Sequence, residues 1–271
     1  MRRILTLLMI IAVSGAAAQE RFDYVFRRNP WNGGPNAAGI RQDSLSRSYA
    51  EIYFTKETGG MTGHSSSDDS WNAGARTESV RHLNKDSFAG GFGYDYFDGR
   101  NMCGSMFTQP GYYPVDILEF TPGRKIREDY SFMGGVSAVL GRRWTGGLRV
   151  EFEAQNYAKR KDLRHKNTRL DFEFSPGVMY HAGRFAAGAV YIVGTNSEKL
   201  EAEEIGSTPE SYQAFFDRGL GYGSLQLWES SDMHLTTSGV TGFPVRENTQ
   251  GAGVQLQYGP VYAAAAYRNR Q

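Results

Sequence analysis

Between Tyr130 and Gly194 the chain keeps a strict period of two. From Trp144 to Gln155, the residues Trp144, Gly146, Leu148, Val150, Phe152 and Ala154 fall on one side. Thr145, Gly147, Arg149, Glu151, Glu153 and Gln155 fall on the other. Successive side chains of a β-strand point to opposite faces, so this is one apolar wall and one polar wall. Leu170, Phe172, Phe174, Val178 and Tyr180 repeat it against Arg169, Asp171, Glu173 and Ser175. Phe185, Ala187, Ala189, Tyr191 and Val193 form a further apolar row, as do Tyr130, Phe132, Gly134, Val136, Ala138 and Leu140. Near the end, Val254, Leu256 and Tyr258 alternate with Gly253, Gln255 and Gln257.

The same parity places strands at 48–55, 73–82, 87–97, 130–140, 144–156, 168–180, 184–194, 250–258 and 261–267, with Gly221 to Ser230 a hairpin element inside a large loop. A secreted β-sandwich would also alternate. Two features favour a transmembrane barrel. Strands of about ten residues suit a tilted membrane crossing better than the usual five or six. The connections also alternate in length. Gly141-Arg142-Arg143, His181-Ala182-Gly183 and Gly259-Pro260 are tight, whereas 98–129, 157–167 and 195–249 read as long polar loops. Short turns on one side and long loops on the other mark outer-membrane barrels. The fold expected is therefore all-β: an antiparallel transmembrane β-barrel with short periplasmic turns and long extracellular loops. It is expected to be incomplete, because nine crossings are odd where bacterial single-chain barrels are even. The final Tyr267-Arg268-Asn269-Arg270-Gln271 also lacks a terminal aromatic.

The amino terminus gives an address. Arg2 and Arg3 precede the apolar run Ile4 to Val13, and Ala16-Ala17-Ala18 follows. This is the order of a signal peptide, with the cut placed before Gln19; the apolar run is too short for a membrane helix, which needs ~20 residues. The organisation expected is a signal peptide at 1–18, an amino-terminal periplasmic or lumenal segment at 19–47, and barrel strands at 48–271. Thirty Lys and Arg against twenty-nine Asp and Glu argue against a nucleic-acid partner. A mean hydropathy of −0.50 does not exclude a barrel, in which only alternate residues face lipid. Cys103, the single cysteine, reads as an incidental loop thiol.

Several stretches resemble an uncharacterised family of outer-membrane β-barrel proteins from Bacteroides-type bacteria. They are "MCGSMF" at 102–107, "YYPVDILEFTPGRK" at 112–125, "YAKRKDLRHKN" at 157–167 and "GVTGFPV" at 239–245. Arg28-Asn29-Pro30-Trp31 with Asn36-Ala37-Ala38-Gly39 is similar to that family's amino-terminal signature. The resemblance covers nearly the whole mature chain and implies a fold and an outer-membrane address. It implies no substrate and no catalytic residue. Its members are longer than this chain, which implies further strands.

The stretch 27–39 is too broken by Pro and Gly for a helix or strand, and Trp31 needs burial. Asn29, Pro30, Trp31, Asn36 and Gly39 are therefore candidates for a plug inside the lumen, with a periplasmic cap outside the barrel as the other reading. The segment also loosely resembles the lumen-filling start of fatty-acid-channel barrels. Arg149, Glu151, Glu153, Arg169, Asp171 and Glu173 are candidate lumen-lining residues, because a charge facing lipid costs a few kcal/mol; they are expected to pair across strands. None of the five histidines has metal-ligand spacing, His165 falls in a loop, and no Gly-x-Ser-x-Gly elbow occurs. No enzyme activity, metal or cofactor is expected. Glu198, Glu201, Glu203 and Glu204 read as solvated charge, and the basic run 159–166 lies where lipopolysaccharide phosphates would be. The partners expected are outer-membrane lipid, lipopolysaccharide and an envelope protein. Two functions compete: solute passage or binding through a partly plugged lumen, and a surface scaffold or accessory subunit presenting loops 98–129 and 195–249. The address is checked by sequencing the mature protein from the outer-membrane fraction, which should begin at Gln19; recovery from the cytoplasm with Met1 in place would refute it.

Overall fold

The computed structural model describes residues 30–31, 34–42, 45–60, 65–161, 164–203, 212–219, 222–228 and 243–271. The expected signal peptide 1–18, its cut before Gln19, and Asn29 lie outside the described residues. One 3-10 turn, Ala37–Gln42, is followed by β1 (Arg47–Thr58), β2 (Asp69–Leu83), β3 (Asp86–Ser105), β4 (Asp116–Val139), β5 (Trp144–Lys159) and β6 (Arg164–Ala182). Then come β7 (Phe185–Glu203), β8 (Tyr212–Asp217), β9 (Gly223–Trp228), β10 (Phe243–Tyr258) and β11 (Val261–Arg270). All belong to one antiparallel sheet in the order β1-β2-β3-β4-β5-β6-β7-β10-β11, with the β8–β9 hairpin attached to β4. The sheet is open: β1 and β11 are its edges and do not pair with each other.

The turns show why the chain reverses where it does. Asn84, between β2 and β3, has φ +44°, and Gly183 and Gly259, after β6 and β10, both have φ +59°. Tight hairpins need this left-handed backbone, which Gly and Asn tolerate best. These turns share one end of the sheet. The connections after β1, β3, β5 and β7 share the other, the long-loop end.

The sheet is strongly curled. The segment around the 3-10 turn touches each strand of the main path from β2 to β11. Ala37 and Ile40 pack on Val80 of β2 and Ala89 of β3. Ser137 of β4 and Arg149 of β5 donate hydrogen bonds to the carbonyls of Ala38 and Gly34, at 3.2 and 3.1 Å. Asn36 reaches β6, β7 and β10, and Trp31 meets Tyr262 of β11 edge-on at 5.6 Å. A short segment can do this only if the strands bend around it.

Polarity divides the sheet by side and by height. Near the short-turn end the convex face is apolar: Phe92, Phe132, Leu148, Phe172, Tyr191 and Val254 are exposed there. The concave face carries buried polar groups, among them Ser87, Ser137, Gln155, Arg169, Ser175 and Gln255. Toward the long-loop end the rule reverses. On β7, Lys199 is exposed and Leu200 and Ala202 are buried. They join Met106, Phe107, Tyr113, Ile117 and Ala214 in an apolar cluster.

The strands also run further than their apolar period predicts. Most of 98–129, expected as a loop, is the extension of β3 and β4, leaving 106–115 as the connection. His165 is buried on β6, not in a loop, and Cys103 is buried on β3. Glu198 is buried rather than solvated. In each case the strand continues after the outward residues turn polar, so the apolar alternation vanishes while the backbone pairing does not.

The β3–β4 pairing slips between Gly99 and Met102 and again between Met102 and Gly104. Such bulges leave backbone groups without ladder partners. Lys125 fills the gap by donating to the carbonyls of Cys103 and Ser105 at 3.3 and 3.0 Å, and Lys159 donates to the carbonyl of Thr121. Glu119 lies between both lysines, 3.0 Å from Lys125 and 2.5 Å from Lys159; the side chains are 0 to 1% exposed. Removing the carboxylate strands two buried ammonium groups, a loss of about 3–5 kcal/mol. Glu119→Ala should therefore lower the urea unfolding midpoint far more than Glu201→Ala on the exposed face; equal midpoints would show that the triad carries no stability.

Candidate functional site: a filled and charged interior

The concave face is organised in three tiers. The lowest, at the short-turn end, is a seat for residues 30–31 and 34–42. Glycine occupies inward positions on adjacent strands: Gly135 on β4, Gly147 on β5, Gly177 on β6 and Gly188 on β7. A Cβ at Gly147 would meet the Ala37–Ala38 backbone, one at Gly177 would meet the Asn36 amide, and one at Gly188 would lie 2.7 Å from the Trp31 ring. Gly39 is glycine for a related reason, since its Cβ would lie 2.8 Å from both Cβ and the carbonyl oxygen of Trp31.

Side chains satisfy the coil's polar atoms. Asn36 is 1% exposed; its Nδ2 donates to Gln255 Oε1 at 2.8 Å and to the carbonyls of Val178 and Ala189 at 3.3 and 3.4 Å. Its Oδ1 accepts from the Ala38 amide at 3.1 Å. Those carbonyls lie beside an interruption in the β6–β7 pairing at Ser175-Pro176, where Pro has no N–H to offer. Trp31 is 1% exposed and donates its indole N–H to Gln257 at 2.5 Å. Pro30 is exposed, at the rim of the seat.

The middle tier holds the charges. Arg149, Glu151, Glu153, Arg169, Asp171 and Glu173 all point into the curl. Their pairing differs from the sequence expectation. Carboxylate faces carboxylate across the strands, Glu151 opposite Glu173 and Glu153 opposite Asp171. The main ion pairs run along single strands instead: Arg149 with Glu151 on β5, and Arg169 with Asp171 on β6 at 2.8 Å. Arg169 also reaches Glu153 at 3.9 Å, and Arg268 of β11 closes on Glu173 at 3.2 Å. Opposed like charges would repel, so these guanidinium groups hold the tier together. A cavity of about 410 Å³ remains, lined by Arg76, Glu78, Glu151, Glu153, Asp171, Glu173 and Arg268. It is a polar chamber that could bind and orient a small charged solute. Among the described residues, no three His, Cys, Asp or Glu side chains gather to hold a metal ion.

The upper tier is the 106–115 connection, which folds inward instead of standing free. Glu198 accepts from the Thr108 amide at 2.8 Å, from its hydroxyl at 3.2 Å and from Asn167 at 2.8 Å. Tyr113 donates its hydroxyl to Asn196 at 2.5 Å, and burial pushes the phenol's pKa upward, so it stays a donor. The Tyr112 ring covers Arg169, with the guanidinium 4.9 Å from its centroid. Both ends of the chamber are thus covered. Sequence reasoning missed Tyr112, Tyr113, Thr108, Arg76, Arg268 and the glycine seat. The seat had a readable signal, glycines at inward parity on successive strands; the inward loop had none.

The profile of one protein family, described as "Family of unknown function (DUF6850)", matches residues 37–271, and the chain belongs to that family. No curated protein and no solved structure matches it. The seat is tested by fluorescence in a background where Trp71, Trp144 and Trp228 are Phe. Trp31 should resist iodide quenching, and Gly147→Val should expose it by displacing the coil. Gly141→Val, at a position with open space around it, should not. Equal quenching in all three proteins would refute the seat.

Proposed function

We propose that this family member is an outer-membrane β-barrel protein whose charged interior binds a small polar solute, with residues 30–31 and 34–42 as plug and 106–115 as inward cap. The observation that carries this reading is the reversal of polarity along single strands. On β7 the outward residues run Ala187, Ala189, Tyr191 and Val193, and then Thr195, Ser197, Lys199 and Glu201. Inward, the buried Val190 and Ile192 are followed by Asn196 and Glu198 and then by Leu200 and Ala202. A protein surrounded by water throughout gains nothing by lining the outside of its strands with apolar side chains over one height and with polar ones over the next. A protein that leaves hydrocarbon for water partway along its strands requires it.

The dimensions agree. On β5 the outward apolar residues extend from Trp144 to Ala154, and Asn156 follows. That is about ten steps of ~3.3 Å, or roughly 25 Å of height at the usual barrel tilt, the height of an outer-membrane apolar band. Aromatic pairs sit at both borders: Trp144–Tyr180 at 5.0 Å near the short turns, and Tyr94–Tyr130 at 5.0 Å and Trp71–Tyr96 at 4.9 Å toward the loops. Such girdles are characteristic of lipid–water interfaces.

A second reading, a scaffold or accessory subunit of an envelope complex, is favoured by the β8–β9 hairpin, which extends β4 beyond the apolar band. Two measurements decide. Cys probes at Leu148 and Phe172 should react with lipid-soluble reagents and probes at Glu151 and Asp171 with water-soluble ones; the reverse would refute the membrane placement. In planar bilayers the protein should conduct weakly, and deleting residues 30–42 should raise the conductance severalfold. Silence of both forms, with a co-purifying envelope protein, would favour the scaffold.

A further inference from the structure

We propose that the convex face carries a binding groove for a phosphate-bearing lipid headgroup, at the long-loop border of β6, β7 and β10. This rests on the membrane reading above. The groove has a volume of about 700 Å³ and lies among Lys166, Thr168, Leu170, Ser197, Lys199 and Arg246. That volume is in the range of ligand pockets, ~300–1,000 Å³. Its floor is Leu170, the outward apolar residue of β6 nearest the loops, and it rises past the Thr168 and Ser197 hydroxyls to the three cations.

Its charge is unbalanced. Glu201 faces Lys166 across the β6–β7 pair, but its carboxylate is bound to Lys199. Glu198 also borders the groove, with its oxygens turned inward to Thr108 and Asn167. Among the described residues, no carboxylate lies within ion-pair distance of Lys166 or Arg246. Three cations against one outward carboxylate leave two positive charges for a ligand. The vertical order selects the kind of ligand. Leu170, Phe172 and Val193 are exposed below the groove, so acyl chains can lie on them while a phosphate takes the ammonium and guanidinium donors. The hydroxyls between suit the glycerol or sugar of a headgroup. A soluble anion would use the cations and leave the apolar floor uncovered.

The test uses full-length protein in detergent micelles, with lipid retention counted by native mass spectrometry. Phosphatidic acid should be retained in preference to phosphatidylcholine. Each cation near an anionic lipid headgroup is worth about fivefold in affinity, so Lys166→Gln/Lys199→Gln/Arg246→Gln should weaken retention about a hundredfold. Arg142→Gln/Arg143→Gln/Arg184→Gln, with the same charge loss at the short-turn end, should leave retention unchanged. Equal retention by both variants overturns the proposal, as does displacement of the lipid by inorganic phosphate, which would mark a plain anion site. Flotation with phosphatidylcholine vesicles separates the two levels. Protein that floats without selective retention overturns the headgroup groove alone, and protein that does not float overturns the membrane reading and the groove with it.

Discussion

The interior depends on three arginines placed among opposed carboxylates. Glu151 faces Glu173, and Glu153 faces Asp171, across the β5–β6 ladder. Alone, those four groups would push the strands apart. Arg149, Arg169 and Arg268 come from three different strands and bind them in the plane of the tier. Because Arg presents a planar fork of donors, one side chain can serve several oxygens. Arg169 does so, bonding Asp171 and Gln155 while lying 3.9 Å from Glu153 and stacking under Tyr112. Removing it would disturb the middle tier and the cap together.

The other two tiers follow from the same geometry. A sheet with charges on its concave face cannot close that space with an apolar core, so the chain fills it locally. Below, the filler is main chain, which needs close approach and hydrogen-bond partners. The inward glycines permit the approach, and Asn36, Ser137 and Arg149 supply partners. Above, the filler is a loop held through one buried carboxylate, Glu198. The chamber between is therefore a consequence of what does not pack: charged side chains that face one another, between two segments whose polar groups are satisfied elsewhere.

The strand order and facing of this sheet were legible because each strand obeys one local rule over about ten residues. Leu148, Phe172 and Val254 point outward, and Arg149, Asp171 and Gln255 inward, as parity requires. The burial of Trp31 was legible from its Pro- and Gly-rich surroundings. The strand extensions were not, because their outward residues are polar and the apolar period ends. The Lys125–Glu119–Lys159 triad was also hidden, since all three residues lie in strand extensions that lack the apolar period and that the sequence presents as loops. The ion pairs along single strands, Arg149 with Glu151 and Arg169 with Asp171, escaped as well: facing follows from sequence, whereas the choice among neighbouring partners depends on side-chain reach.

The triad and the chamber show two answers to one problem. In the middle tier, the carboxylates keep contact with an open cavity, and only Arg169 among the paired charges is fully buried. In the upper tier, Lys125 and Lys159 are fully buried, and a carboxylate alone would not offset their desolvation. Carbonyls of Cys103, Ser105 and Thr121 supply the remainder. Those carbonyls are available because the ladder is irregular there. The bulges and the buried ammonium groups therefore satisfy each other. An isosteric apolar replacement of the lysines would leave the carbonyls without partners, while a regular ladder would leave the lysines without acceptors. This mutual dependence is what fixes the transition from a polar interior to an apolar one at that height of the sheet.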